Sequence, residues 1–227
     1  MIGSKFDKFI LAIKRDNLFS DEDNFQGFCS SDESDFVSKI LKNYEWLRRG
    51  DIENNPEIKH PISYCVIVNP DTKRIFSYIR SNRDENYSEK RLYGKLSVGV
   101  GGHIEKEDCS GNNPIESAML RELKEEVTIN GKINPKIFGY INDDHQYNDD
   151  TNEGKISVGR VHFGLLYLIE TDAEEVFPND SEIAEGKFRT MEELEKLQLE
   201  SGITTETWSK ISLVVLENYF GNSNKNN

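Results

Sequence analysis

A chain of 227 residues carries 28 Lys and Arg against 41 Asp and Glu, a formal charge of -13 that repels phosphate backbones and excludes duplex nucleic acid as an expected partner. The length favours one enlarged domain with an appended segment and suffices for a real core. No apolar run approaches the ~20 residues that cross a bilayer, and Lys5, Asp7, Lys8 and Lys14 interrupt the first apolar positions, unlike a secretory leader.

Phe6 to Phe19 reads as a strand, and Asp21 to Asp35, rich in Asp, Ser, Gly and Asn, reads as loop. Phe36, Ile40, Leu41, Tyr44 and Leu47 recur at helical spacing and predict a helix ending near Gly50. Asp51 to Pro61, with two prolines, predicts a linker. Strand patterns then begin: Ser63 to Asn69, a turn at Pro70 and Asp71, and Arg74 to Arg80 as the return of a hairpin. A polar loop is expected over Ser81 to Tyr93, followed by a short strand, Lys95 to Val100, entering Gly101 and Gly102. Pro114 suits the first turn of a helix predicted to reach Val127. Further strands are expected at Ile133 to Ile141 and Gly159 to Glu170, separated by an acidic loop, Asn142 to Gly154. A turn-rich stretch, Phe177 to Asp180, precedes Glu182 to Arg189, and helices follow at Met191 to Gln198 and Thr204 to Tyr219.

Strands interrupted by helices without strict alternation predict an α/β (α+β) fold, a mixed sheet sandwiched between helices. The expected organisation is an N-terminal extension over 1–60, a main domain over 61–220 and a frayed tail over 221–227. Cys29, Cys65 and Cys109 are odd in number and without paired spacing, so reduced thiols in a cytoplasm are expected. His60, His103, His145 and His162 are scattered; none sits in a two-histidine zinc spacing, and none is expected to ligate metal.

Side chains on a helix turn by ~100° per residue, so Glu122, Glu125 and Glu126 share one face. Ile115, Met119, Leu123 and Val127 mark the neighbouring face as core-facing and put the carboxylates at its boundary. An acidic surface helix is the plain alternative, but upstream lies Ser97-Val98-Gly99-Val100-Gly101-Gly102-His103-Ile104-Glu105, a strand entering a glycine pair. Glycine lets backbone approach an ion or phosphate closely. Gathered oxygen ligands are what Mg²⁺ or Mn²⁺ requires.

Together these residues resemble the Nudix hydrolase signature: Gly, five residues, Glu, seven residues, Arg-Glu-apolar-x-Glu-Glu-x-Gly-apolar. Gly102 fits the first glycine, and Arg121, Glu122, Leu123, Glu125, Glu126 and Ile129 fit the second half. Three positions depart from it. Asp108 stands for the first glutamate, twelve residues rather than seven separate it from Arg121, and Thr128 replaces the closing glycine. In the family the first acid often pairs with the motif arginine, a role open here to Asp108 or Glu107. Glu105 stands where many relatives carry an additional acid.

The resemblance implies Nudix-type hydrolysis of a phosphoanhydride in a nucleoside diphosphate derivative or related small molecule. Glu122 and Glu126 would be the main ligands of Mg²⁺ or Mn²⁺, with Glu125 a third and the Gly101 carbonyl a fourth. Arg121 would orient the carboxylates. Glu125, Glu182 and Glu185 are the candidates for general base, while Gly102 and Tyr147 are candidates for substrate contact. Residues 1–60 are left with three roles: a cap, the contact of a homodimer, or extra strands. A non-catalytic nucleotide-binding module on the same fold and an enzyme resembling isopentenyl diphosphate isomerases are the rival readings; the second needs a reactive cysteine.

Overall fold

The computed structural model describes residues 4–20, 22–80, 94–111, 113–145, 158–179 and 183–222. Along the chain come β1 (Phe9–Lys14), α1 (Arg15–Leu18), β2 (Gly27–Ser30), α2 (Phe36–Asn43), β3 (Glu45–Arg48) and α3 (Arg49–Ile52). Next are β4 (Ile58–Asn69), β5 (Arg74–Arg80), β6 (Leu96–Ser97), β7 (Gly99–His103) and a 3-10 turn, Lys106–Ser110. They are followed by α4 (Pro114–Glu126), β8 (Val127–Ile129), β9 (Ile133–Asn142), α5 (Val158–Val161) and β10 (His162–Thr171). The last are β11 (Val176–Pro178), β12 (Ile183–Arg189), α6 (Met191–Ser201) and α7 (Thr207–Asn222). The fold is α/β, with a mixed sheet and several helices. Among the described residues no helix is long and apolar enough to cross a membrane.

The chain groups into two compact units: Met1–Tyr64, Gly101–Arg121 and Ile137–Leu166 in the first; Cys65–Val100, Glu122–Lys136 and Tyr167–Asn227 in the second. In the first unit β1 pairs antiparallel with β3, Ile10 against Leu47 and Leu11 against Trp46, and continues onto β4 through Ile13 and Lys59. Ile10, Ala12 and Ile52 form a buried cluster on which Leu47 and Ile58 pack. Phe36, at the start of α2, meets Tyr140 edge-on, with centroids 5.0 Å apart, and Tyr140 stacks on Phe163. Asp35 caps α2 by accepting the Ser38 N–H at 2.9 Å.

The structure corrects six expectations. The strand predicted over Phe6 to Phe19 is confined to Phe9–Lys14, and the chain turns helical at Arg15–Leu18. The helix predicted to reach Gly50 ends at Asn43, because Trp46 and Leu47 gain more by pairing with β1 than by continuing a helical face. The predicted linker contains the start of β4, where Lys59 and His60 are fully buried. The loop Asp21 to Asp35 contains β2, which pairs Phe28 with Ile141 and Cys29 with Tyr140. The turn around Phe177 is β11, paired with β8 in the second unit. The strand entering the glycine pair runs through it, since β7 ends at His103. Residues 1–60 contain β1, β2, β3 and the start of β4.

A charged group is buried in the first unit. The Lys59 ammonium bonds the Asp144 carboxylate at 2.8 Å and the Gly159 and His162 carbonyls at 3.2 and 3.3 Å. Arg15 meets the same carboxylate with two bonds, 3.0 and 2.5 Å. Burial lowers the Lys59 pKa to about 8 against the pull of Asp144. Burial also pushes Asp144 up, but its bonds to Arg15 and Lys59 outweigh that and hold the carboxyl well below the usual range.

In the second unit β5 is the central strand. It pairs with β4 as the expected hairpin, Val68 against Ile75, with β6 through Tyr78 and Ser97, and with β12 through Phe76 and Phe188. Arg189 bonds the Ser77 carbonyl at 2.7 Å, and Thr190 opens α6 with a reciprocal cap to Glu193.

Candidate functional site

Helix α4 takes the predicted span almost to the residue, and Ile115, Met119, Leu123 and Val127 are all buried. Its residues through Arg121 belong to the first unit and those from Glu122 to the second.

In the first unit Arg121 grips Asp108 with two bonds, Nε to Oδ1 at 2.8 Å and Nη2 to Oδ2 at 2.9 Å, and also bonds the His103 carbonyl at 3.0 Å. Asp108 is 5% exposed and accepts the Glu105 N–H, closing the 3-10 turn on itself. The arginine's partner is thus Asp108. A shorter acid serves because the turn carries its backbone to the guanidinium. Glu105 is engaged by Lys8 at 2.6 Å, while Leu11 donates to the Ile104 carbonyl, so β1 lines the segment that follows the glycines.

Gly101 must be glycine. Its φ is +141°, and a Cβ there would lie 1.8 Å from the Ser63 carbonyl oxygen, so β7 can approach β4 only without a side chain. Gly102 follows on the same strand, partly buried.

In the second unit the last turn of α4 carries Glu122 and Glu126, half-buried, and Glu125, exposed. Carboxylates at a helix C-terminus face the negative end of the helix dipole, at about 0.3–1 kcal/mol each, and Lys124 is the one basic residue in that turn. Their charge reaches inward: the Cys65 thiol is pushed up first by burial and then by Glu126 and Glu122. An acidic helix end made wholly of oxygen donors fits a divalent cation.

The closing glycine of the motif is replaced by a clip that spacing alone did not show. Asn179 donates its N–H to the Glu126 carbonyl at 2.8 Å and its Nδ2 to the Lys124 carbonyl at 3.0 Å, satisfying acceptors the helix end leaves open. Thr128 donates its hydroxyl to Asn179 at 2.8 Å. Threonine is therefore placed by the β8–β11 pairing rather than by a glycine turn.

Glu185 lies in the second unit on β12, exposed, at a bulge between Ala184 and Lys187 and with φ 52°. A left-handed glutamate in a strand is strained by about 1–2 kcal/mol. Its carbonyl accepts from Arg189 at 3.2 Å. Glu182 and Tyr147 lie outside the described residues. Cys65 is fully buried with its thiol pushed up, which suits an inert core residue and removes it as the reactive cysteine of the isomerase reading.

The histidines, scattered in sequence, are not scattered in space. His60, His103 and His162 meet in the first unit, each with a ring nitrogen within 4.8 Å of the others. Burial lowers His60 to about 4 and holds His103 well below its ordinary value.

The NUDIX domain family matches residues 59–206 of the chain. Protein YmaB of Bacillus subtilis (strain 168) is 34% identical over 229 residues, covering 94% of this chain and 99% of its own length. Among solved structures, that of Tm1382, described as a candidate Nudix hydrolase, has a TM-score of 0.69 at 27% identity, over 93% of this chain and 100% of its own.

Proposed function

Since the chain belongs to the Nudix family and is a Nudix-type pyrophosphohydrolase, we propose that it cleaves the phosphoanhydride bond of a nucleoside diphosphate derivative or a related small diphosphate with a divalent metal. The observation that carries this reading is the acidic last turn of α4, where Glu122, Glu125 and Glu126 crowd the negative end of a helix. Glu122 and Glu126, one turn apart, would hold Mg²⁺ or Mn²⁺, with Glu125 as a third ligand. When bound, such an ion supplies charge to phosphate oxygens and acidifies a coordinated water.

The protein's own groups do the rest. Within the first unit Arg121 holds the turn that precedes α4 through its two bonds to Asp108. Glu185 is the favoured general base over Glu182 and Glu125, supported by its exposed and strained position on the bulge. It would take a proton from water as the water oxygen bonds to phosphorus and the bridging oxygen leaves on the other phosphate.

A panel of nucleoside diphosphate derivatives assayed with Mg²⁺ and with Mn²⁺, beside Glu126→Gln, tests this. Metal-dependent phosphate or nucleotide release is expected. The variant should be slower by on the order of 10²–10³-fold, the usual loss when one charge-stabilising group is removed. Full activity in Glu126→Gln would sink the assignment, and tight ligand binding without metal-dependent cleavage would favour a binding module.

A further inference from the structure

The proposed hydrolysis uses none of the three histidines that converge in the first unit. His60 comes from β4, His103 from the end of β7 and His162 from the start of β10. Their ring centroids are 5.0 to 5.7 Å apart. The planes are inclined by 54 to 77°, tilted or edge-to-face, so no two of the rings stack flat. His60 is 0% exposed, and its two ring nitrogens, like His103 Nε2, are buried without a hydrogen-bond partner. The Ile52 carbonyl lies near the His60 ring and favours a proton on it.

Leaving a buried polar atom unpaired costs about 1–3 kcal/mol, so a cluster of such atoms needs something to satisfy it. A purely apolar packing role would be filled by leucine or phenylalanine at no such cost. We propose that His60, His103 and His162 form a second metal centre, a three-imidazole site for a zinc-class ion.

The donor chemistry separates this centre from the glutamates. Imidazole nitrogens suit Zn²⁺ and its neighbours, whereas carboxylate oxygens suit Mg²⁺ and Mn²⁺. Three protein nitrogens leave a fourth tetrahedral position for water. Zinc–nitrogen bonds of about 2.0–2.1 Å bring the nitrogens to roughly 3.3 Å from one another, a closure of up to about 1.5 Å from the 4.8 Å within which they lie, which side-chain rotation can supply. With one His60 nitrogen on the ion, the other would carry the N–H, and the nearby Ile52 carbonyl would accept it, the outer contact that metal-bound imidazoles ordinarily make. The Glu53 carboxylate favours positive charge at His60, opposed by Arg49, which Glu53 holds at 2.8 Å. A bound ion would staple β4, β7 and β10 within the first unit. Arg121 already holds the His103 carbonyl, so the centre and the Asp108 brace share a support.

The test is a titration of the chelator-stripped full chain with Zn²⁺ alone, in competition with a chromogenic chelator, on the wild type and on Glu126→Gln. One zinc per chain is expected in both, with visible bands of a tetrahedral nitrogen-rich site when Co²⁺ is substituted. His103→Gln and His162→Gln should each bind at least on the order of 100-fold more weakly, because even supporting contacts around a metal are worth 10–100-fold. Zinc should raise the thermal midpoint of the wild type and not that of His103→Gln. The wild-type titration decides without any variant: folded protein that takes up no zinc overturns the proposal. So does binding that is lost in Glu126→Gln alone or that survives both histidine substitutions. Failure of the hydrolase assay would leave these readings untouched.

Discussion

Glu122, Glu125 and Glu126 stand almost side by side in the chain, on one turn of α4, and keep contact with solvent. Lys59, Asp144 and Arg15 come from three distant segments, and Lys59 is wholly out of water. The first group is cheap to hold, because water screens it and the helix supplies its geometry. The second is expensive, and the structure around it must answer every donor it removes from solvent. Substitution on the turn should therefore cost rate with little stability, and substitution in the first unit's interior should cost stability ahead of rate.

The strongest test of that division is Gly101→Ala. A Cβ 1.8 Å from the Ser63 carbonyl cannot be absorbed by a flexible side chain, since the obstacle is backbone. The expected loss is about 4 kcal/mol or more, read as a collapse of the urea midpoint or failure to accumulate folded protein. A variant of wild-type stability would show that β7 and β4 are not apposed there.

Asp144→Asn comes next. It strands the Lys59 ammonium with carbonyls alone, and because Asp144 is a quarter exposed the loss belongs at the lower end for broken buried pairs, about 3 kcal/mol. The pH dependence follows from the two shifts. Asp144 has a lowered folded pKa, so its contribution is complete above its ordinary 3.8 and disappears as pH falls below that. Lys59 has a folded pKa of about 8 against 10.5, so the unfolded chain binds more protons between those values and stability rises with pH across them. Denaturation followed against pH should show an acid limb in the wild type that is shallower in Asp144→Asn, with the rest supplied by other lowered carboxylates such as Glu53 and Glu170. An unchanged acid limb would mean that the pair contributes nothing.

The same contrast explains what could be read from residue order. Helix α4 was legible because its buried row, Ile115 to Val127, and its glutamates repeat at a local period. The β4–β5 hairpin was legible because Pro70 and Asp71 mark its turn. Nothing local distinguishes Glu45–Arg48 from the end of a helix, since Tyr44 and Leu47 fit the helical period and only β1 makes them a strand. The three-residue strands β8 and β11 are too short to show a period, and Asn179 acts on a helix end far upstream. The histidine cluster was illegible for the same reason: its spacing exists only once β4, β7 and β10 are folded.

The smallest stability effect expected comes with the sharpest test of the site. Glu185 holds φ 52° at the β12 bulge, a conformation glycine adopts freely and alanine does not. Glu185→Gly should therefore be more stable than Glu185→Ala by about 1 kcal/mol, while both lose the carboxylate and slow turnover by roughly 10²–10⁴-fold, the usual worth of a general base. Equal stabilities would mean the bulge carries no strain. Equal rates in the wild type and both variants would remove Glu185 as the base and pass the role to Glu182 or Glu125. Loss of rate in both, with the stability gap intact, would mark the bulge as a position where the fold accepts strain to present a carboxylate.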